Sequence, residues 1–278
     1  MTENQYRKWY KKQERIYSRL AFTIIQKHFK KALQPITNDN INMANINQVL
    51  KMYVTNEMVI DMLKELYTSI MTDHYIKLTK GLEAGTLEIK RTGLPLFSRI
   101  IANLVSLVLS SFGGSKIVSI KTTLIDWVID YLANAKAEGK GTVATANEIY
   151  KDIGKKKGLY RYQIQRIART EVGNAVNMAS LERYKNSPIL LDKIWISATD
   201  ERVRHFHLET DATVKALDEP FEVPVVINGI EVVELLQYPS DPNGSAGNVI
   251  NCRCTIAPKT KYDANGLPMP NPNYVSDI

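Results

Sequence analysis

Apolar residues recur at helical spacing through most of the first 185 positions. Residues 6–33 contain neither Gly nor Pro, and Trp9, Ile16, Leu20 and Ile24 repeat at intervals of seven and four, one stripe of a helix. Pro35 ends that pattern. A polar link over 37–42 leads to a second helical stretch over about 46–80, with Val49, Met52, Val59, Leu63, Leu66 and Ile70 on its apolar side. Gly81, Gly85 and Gly93-Leu94-Pro95 mark turns. Helices resume over 97–112 and 122–137, Gly113-Gly114 closing the first. Thr142 or Thr145 caps a short helix carrying Ile149 and Ile153. Residues 160–185 form a long helix whose inner face is Ile164, Ile167, Ala168, Val172, Ala175 and Ala179. Small alanines there admit another element at close range.

The pattern changes after Pro188. Lys193 to Ser197 reads as a strand, and two apolar runs, 221–227 and 230–233, flank Asn228-Gly229 as a hairpin. Pro224 puts that hairpin at a sheet edge. A loop over 238–247 precedes a last strand over 249–257, and the tail with Pro268, Pro270 and Pro272 reads as extended. The fold class is α+β: a predominantly helical N-terminal part with a small antiparallel β-sheet in the C-terminal part. Divided linearly, a helical region covers 1–118, a domain of helices followed by sheet covers 119–258, and a tail covers 259–278. The helix over 160–185 joins the two parts and packs on the sheet, because a small sheet needs a helix to cover one face.

Composition narrows the class. With 278 residues, 44% of them hydrophobic, the chain can bury one large core or two modest ones. Its two cysteines, Cys252 and Cys254, suit synthesis in a reducing cytoplasm. The first dozen residues are polar and lack the apolar run and small-residue cleavage site of a signal peptide. The most apolar segment, 104–109, is too short to span a bilayer and reads as a buried helix.

The net charge of +7 is unevenly placed. Residues 1–31 hold nine Lys/Arg against two Glu, hence +7, so the rest of the chain sums to zero. Lys8, Lys11, Lys12, Arg15 and Arg19 lie in that segment, and Lys155, Lys156 and Lys157 head a second basic cluster. Two readings stand at equal weight: solvated helix faces, or contacts to a partner or to a phosphate backbone without sequence specificity.

Three blocks carry a family resemblance. Ile167-Ala168-Arg169-Thr170-Glu171-Val172 with Asn174-Ala175 is the first. Trp195, then Asp200-Glu201-Arg202-Val203-Arg204, then His207, is the second. Tyr238-Pro239-Ser240-Asp241-Pro242 with Asn251-Cys252-Arg253-Cys254 is the third. In order and spacing these resemble the Mu F-like head-morphogenesis proteins of tailed bacteriophages, over roughly 120–258. The resemblance implies a minor head protein, not an enzyme, found in the virion at the capsid interior or portal vertex. Its implied partners are the portal protein, capsid or scaffold protein, and genomic DNA. One departure is visible: the family usually has Gly after the aspartate where this chain has Asp211-Ala212, and Ala tolerates a positive φ poorly.

Zinc is the cofactor the resemblance raises. Some relatives carry a Cys-x-x-Cys pair in the segment matching Arg204 to His207, and here Arg204 replaces its first cysteine. His207, Cys252 and Cys254 remain as soft ligands, and His205 serves only by rearrangement. Cys252 and Cys254 on a strand face the same side but stand well apart. A cysteine nucleophile with His207 as base and Asp200 as orienter is the catalytic alternative. No glycine-rich cradle accompanies it. Arg169, Glu171, Asp200, Arg202 and Arg253 read as a polar network pinning the helix to the sheet, because semi-buried charges need partners.

Overall fold

The structure, a computed structural model, describes residues 2–34, 45–83, 94–111, 113–139, 148–149, 151 and 161–274. Helices come first: α1 (Glu3–Leu33), α2 (Ile46–Tyr53), α3 (Asn56–Glu83), α4 (Leu94–Ser111), α5 (Gly113–Ala137) and α6 (Arg161–Lys185). Then follow β1 (Leu191–Ile196), α7 (His205–Glu209), β2 (Val214–Ala216), β3 (Phe221–Ile227), β4 (Ile230–Leu236), α8 (Ala246–Val249) and β5 (Thr255–Thr260). This is the expected α+β order. The caps at Thr142 or Thr145, the link over 37–42 and the Lys155–Lys157 cluster lie outside the described residues.

Contacts divide the chain into two compact units, each discontinuous in sequence. One gathers residues 1–18, 67–106 and 169–278; the other gathers 19–66 and 107–168. These do not coincide with the linear boundaries at 118 and 258, because helices remote in sequence share a core. The second unit buries Ile24, Ile25 and Phe29 of α1, Leu50 of α2, Val59, Met62 and Leu63 of α3, and Leu124, Val128 and Leu132 of α5. The single helix expected over 46–80 is two. Thr55 stops α2 and starts α3 by accepting the Met58 amide on its Oγ1 at 3.2 Å, leaving Met52 exposed. Gly113 opens α5 instead of closing its predecessor.

In the first unit, α1 presents a different face from the expected stripe. Tyr6, Tyr10, Gln13 and Tyr17 are buried, while Ile16 is 43% exposed. Tyrosines carry the face because their hydroxyls find partners: Tyr6 Oη lies 3.2 Å from Tyr184 Oη, and Tyr17 Oη donates to Asp73 at 2.8 Å. Trp9 packs against the rings of Tyr6 and His74, with centroids 5.4 and 5.6 Å away.

The stretch of α6 from Val172 to Ser180 is buried throughout, polar residues included. β1 is the centre of a three-stranded antiparallel sheet, with β2 on one side and β5 on the other. Trp195 and Ile256, paired across it, are fully buried. β3 and β4 form a separate antiparallel ribbon closed by Asn228 (φ 52) and Gly229 (φ 81), the turn that Asn-Gly specifies. The short helices α7 and α8 both pack on β3. The chain beyond β5 folds back: Leu190 N donates to Met269 O, and Ile189 bridges to Pro270. The last strand begins at Thr255, later than the expected 249, because α8 and a loop with Asn251 at φ 61 intervene.

Gly173 fixes how closely α6 meets the loop after β4. A Cβ there would lie 2.5 Å from Ser240 Oγ and 3.1 Å from its Cβ, and Ser240 is itself buried at φ 66. Ala normally stabilises a helix relative to Gly. Here Gly173→Ala is expected to lower stability, by ~1–3 kcal/mol as overpacking does. Ser240→Gly should restore most of it by removing the clashing atoms and relaxing the φ. Thermal melts of the single and double variants check this; a Gly173→Ala protein as stable as the parent would refute the close packing.

Candidate functional site

His207 comes from α7, and Cys252 and Cys254 from the loop between α8 and β5. All three are buried, at 1%, 2% and 2% exposure. His207 Nδ1 lies 3.6 Å from Cys252 Sγ and 3.5 Å from Cys254 Sγ, and the three donor atoms are within 4.8 Å of one another. A straight strand would have separated the two sulfurs. The loop instead lets the Cys254 amide donate to Cys252 Sγ at 3.5 Å. The expectation of well-separated cysteines is therefore corrected: residues 250–254 are not a strand.

The surroundings shape these groups. Asn248 Oδ1 sits 3.1 Å from His207 Nε2, and Asn248 Nδ2 donates to Glu234 Oε2 at 2.8 Å. The Trp195 ring stands edge-on to the imidazole, with centroids 5.4 Å apart. Its indole N–H is buried without a hydrogen-bond partner among the described residues, yet it favours the charged form of Cys254. The hydrogen bond between the two thiols divides them. It holds Cys252 well below the ordinary thiol range, helped by His207 against the opposing effect of burial. It pushes Cys254 well above that range, and burial adds to the rise.

The donor set fits a soft divalent metal. With bonds of about 2.0–2.1 Å to nitrogen and 2.3 Å to sulfur, a tetrahedral zinc centre has an N···S edge of about 3.6 Å. Both N···S distances meet that value, and the chain supplies three donors among the described residues. Arg204, the residue replacing a family cysteine, donates to the Ile250 carbonyl, tying α7 to the cysteine loop by a hydrogen bond. His205 is turned outward onto Glu209 at 3.0 Å, away from the cluster.

The five residues expected to form one network fall into separate groups. Asp200 makes a double hydrogen bond with Arg253, and exposed Arg202 reaches its Oδ2, which Arg253 shares, at 3.4 Å. The Arg253 guanidinium holds the Asp200 carboxyl well below its usual range. Asp200 is thus engaged with arginines, and the imidazole that it was to orient is held by Asn248 instead. Arg169 pairs with Glu14 at 3.3 Å and with Asn251. Glu171 accepts from Tyr67 Oη at 2.6 Å; Asn174 joins Tyr67 to Tyr238. The spacing of the sequence singled out neither Asn248 nor Glu234, since an Asn in a turn and a Glu in a strand carry no periodic signal. On α1, Lys8, Lys11, Lys12, Arg15 and Arg19 are all exposed.

Ala212, which follows Asp211 in the turn after α7, adopts φ 62. Its amide donates to Trp195 O at 2.9 Å, so the turn sets the strand that carries Trp195. An L-residue with a Cβ pays ~1–2 kcal/mol in that region, while glycine loses ~0.5–1 kcal/mol of unfolded-state advantage. Ala212→Gly should therefore stabilise the protein by ~0.5–1 kcal/mol. A higher melting temperature with unchanged circular dichroism is the expected result; a lower one would mean that the φ is not strained.

Comparison with known proteins adds three findings. Residues 127–257 match the family described as Phage Mu protein F like protein. The chain is also similar to the uncharacterized protein YqbB of Bacillus subtilis (strain 168), 30% identical over 109 residues. That alignment covers 38% of this chain and 34% of the relative, so the chain spans about a third of that relative's length. No solved structure matches. The matched segment, just under half of the chain, contains α6, β1, α7, Asn248 and both cysteines, and it is in this segment that the chain is similar to the phage Mu protein F like family.

Proposed function

We propose that this chain is a minor head protein of a tailed bacteriophage, acting in head morphogenesis at the portal vertex and residing in the virion. The family suggests a phage head-morphogenesis protein, and that match carries the reading. Portal association, contact with capsid or scaffold protein, and contact with packaged DNA are the finer parts of the proposal. Among the described residues no single helix is long and apolar enough to cross a membrane.

Two features support a protein that works by contact rather than by catalysis. The nucleophiles and the imidazole are buried at 2% exposure or less, so no substrate reaches them in this conformation. The chemistry that faces solvent is instead apolar. On the β3–β4 ribbon, Val226, Val233 and Leu235 are more than half exposed. They lie on its outer face beside Glu222 and Glu231, and neither edge of the two-stranded ribbon is paired among the described residues. Exposed apolar strands with open edges are surfaces that protein partners cover. The cognate portal protein is the partner we assign to it.

A second reading rests on the five exposed cations of α1: a nucleic-acid-binding face. If each neutralised one phosphate, affinity would fall with salt at a log–log slope of about −4 to −5. Reversing Lys8, Lys11, Lys12 and Arg15 to Glu should remove any such binding without touching the buried tyrosine face of the same helix. Unchanged affinity would assign it elsewhere in the chain.

The portal assignment predicts co-elution when the full chain is co-expressed with its cognate portal and run on a sizing column. Val233→Glu with Leu235→Glu should abolish the complex while leaving the melting temperature within a few degrees, since both side chains point to solvent. A complex that survives the pair refutes the ribbon as the contact. No complex, together with normal heads from a phage lacking the gene, refutes the head-protein reading.

A further inference from the structure

The hydrogen-bond pattern around His207 fixes which of its ring nitrogens bears the proton. Asn248 Nδ2 lies 2.8 Å from Glu234 Oε2 and 3.5 Å from Val223 O, both acceptors. That end of the amide must be the nitrogen, so the atom facing His207 Nε2 at 3.1 Å is the acceptor Oδ1. A neutral imidazole that donates from Nε2 keeps its lone pair on Nδ1, and Nδ1 is the atom equidistant from the two sulfurs. Glu234 is itself held in place, accepting the Ser245 amide on its other oxygen at 2.9 Å.

A pair of thiols does not exhaust this arrangement. One lone pair accepts at most one S–H, yet two sulfurs stand 3.6 and 3.5 Å from it. A metal ion uses all three atoms at once. The Trp195 ring stands edge-on to the imidazole, and its buried indole N–H has no hydrogen-bond partner among the described residues. Arg204 is engaged with Ile250 O and is not a ligand.

We propose that Glu234 and Asn248 are positioning residues that lock the His207 tautomer, so that Nδ1 and the Cys252 and Cys254 sulfurs form a three-donor centre for one zinc ion. The relay runs from carboxylate to amide to imidazole, the outer-sphere pattern that raises the basicity of a ligating histidine. On binding, the thiols release their protons to solvent and both sulfurs bond as thiolates. Nothing in this rests on the head-morphogenesis reading, and its failure would leave that reading untouched.

The test uses the full chain, purified under reducing conditions and stripped with a chelator. Zinc titration against a chromophoric competitor should give one equivalent per chain, with a rise in melting temperature. Cobalt(II) in its place should show a thiolate-to-metal charge-transfer band and tetrahedral visible bands. Cys252→Ser or Cys254→Ser should remove the charge-transfer band or cut it sharply. Asn248→Leu and Glu234→Gln should weaken zinc about 10–100-fold. In Asn248→Leu the 15N shifts of His207 should report mixed tautomers instead of an Nε2-protonated ring, a signature that loss of packing alone would not produce. Metal-free melts and circular dichroism of each variant separate weaker binding from failure to fold. Absence of equimolar zinc binding by the reduced parent chain, or a cobalt spectrum without thiolate bands, would overturn the centre. Full affinity in both Asn248→Leu and Glu234→Gln would overturn the positioning roles.

Discussion

The C-terminal part of the fold hangs on the side chain of Asn177. This amide on α6 is fully buried, and its hydrogen-bonding capacity is used in four directions. Nδ2 donates to Pro239 O at 2.8 Å and to Cys254 O at 3.3 Å; Oδ1 accepts from Thr255 Oγ1 at 2.9 Å and from Ile256 N at 3.0 Å. One side chain thereby ties a helix to the loop after β4, to the cysteine loop and to the start of β5. An unpaired amide at such depth would cost several kcal/mol, so helix and loops must assemble together or not at all. Neighbouring residues repeat the device a turn away: Thr170 Oγ1 accepts the Asn251 amide, and Asn174 Oδ1 accepts the Tyr238 hydroxyl.

That clamp bears on backbone that would not hold itself. Thr199, Ala212, Ser240 and Asn251 all have positive φ and all lie in loops around the cysteines and His207. At ~1–2 kcal/mol for each of the three that are not asparagine, they sum to a sizeable share of the ~5–15 kcal/mol by which a domain is stable. Strained backbone persists where surrounding contacts over-determine it. Here those contacts are named ones: Asp211 accepts from Arg7 and from the Ser197 amide, and Arg253 grips Asp200 next to Thr199. Lys193, fully buried on β1, adds a third tie by donating to Leu217 O and Gln237 Oε1, its ammonium pushed down to about 8 by burial.

Much of this is legible in the sequence. The Asn228-Gly229 turn and the buried alanine face of α6 follow from spacing and residue type alone. The positive φ at Ala212 was foreshadowed by the single place where the chain departs from the family's glycine. What periodicity missed has a common physical cause: polar groups doing apolar work. In the first half of α1, Tyr6 and Tyr17 displaced Ile16 because their buried hydroxyls found partners, while Ile24 is buried as its spacing predicts. Thr55 split a helix whose apolar spacing ran straight through it. The last strand was placed too early because Ile250, Cys252, Cys254 and Ile256 alternate like a strand, whereas a turn of helix and one left-handed asparagine occupy the start of that stretch. Asn248 and Glu234 could not be found at all, since their value lies in each other's position and not in sequence spacing.

The alternation of β4 joins the interior of this unit to its surface. Glu234 points inward to Asn248 and the Ser245 amide, while its neighbours Val233 and Leu235 point outward. Because side chains in a strand alternate with a period of two, a slip of one residue would expose the carboxylate and bury two aliphatics in a polar pocket. The register that presents the apolar outer face is therefore the same register that orients His207. Gly247 reinforces it, since a Cβ there would lie 2.7 Å from Val225 Cγ2, so α8 rests directly on the inner face of β3. A partner gripping the ribbon and an ion held beneath it would both select one register of one hairpin. Such coupling needs no moving part: it follows from two adjacent residues in a strand facing opposite ways.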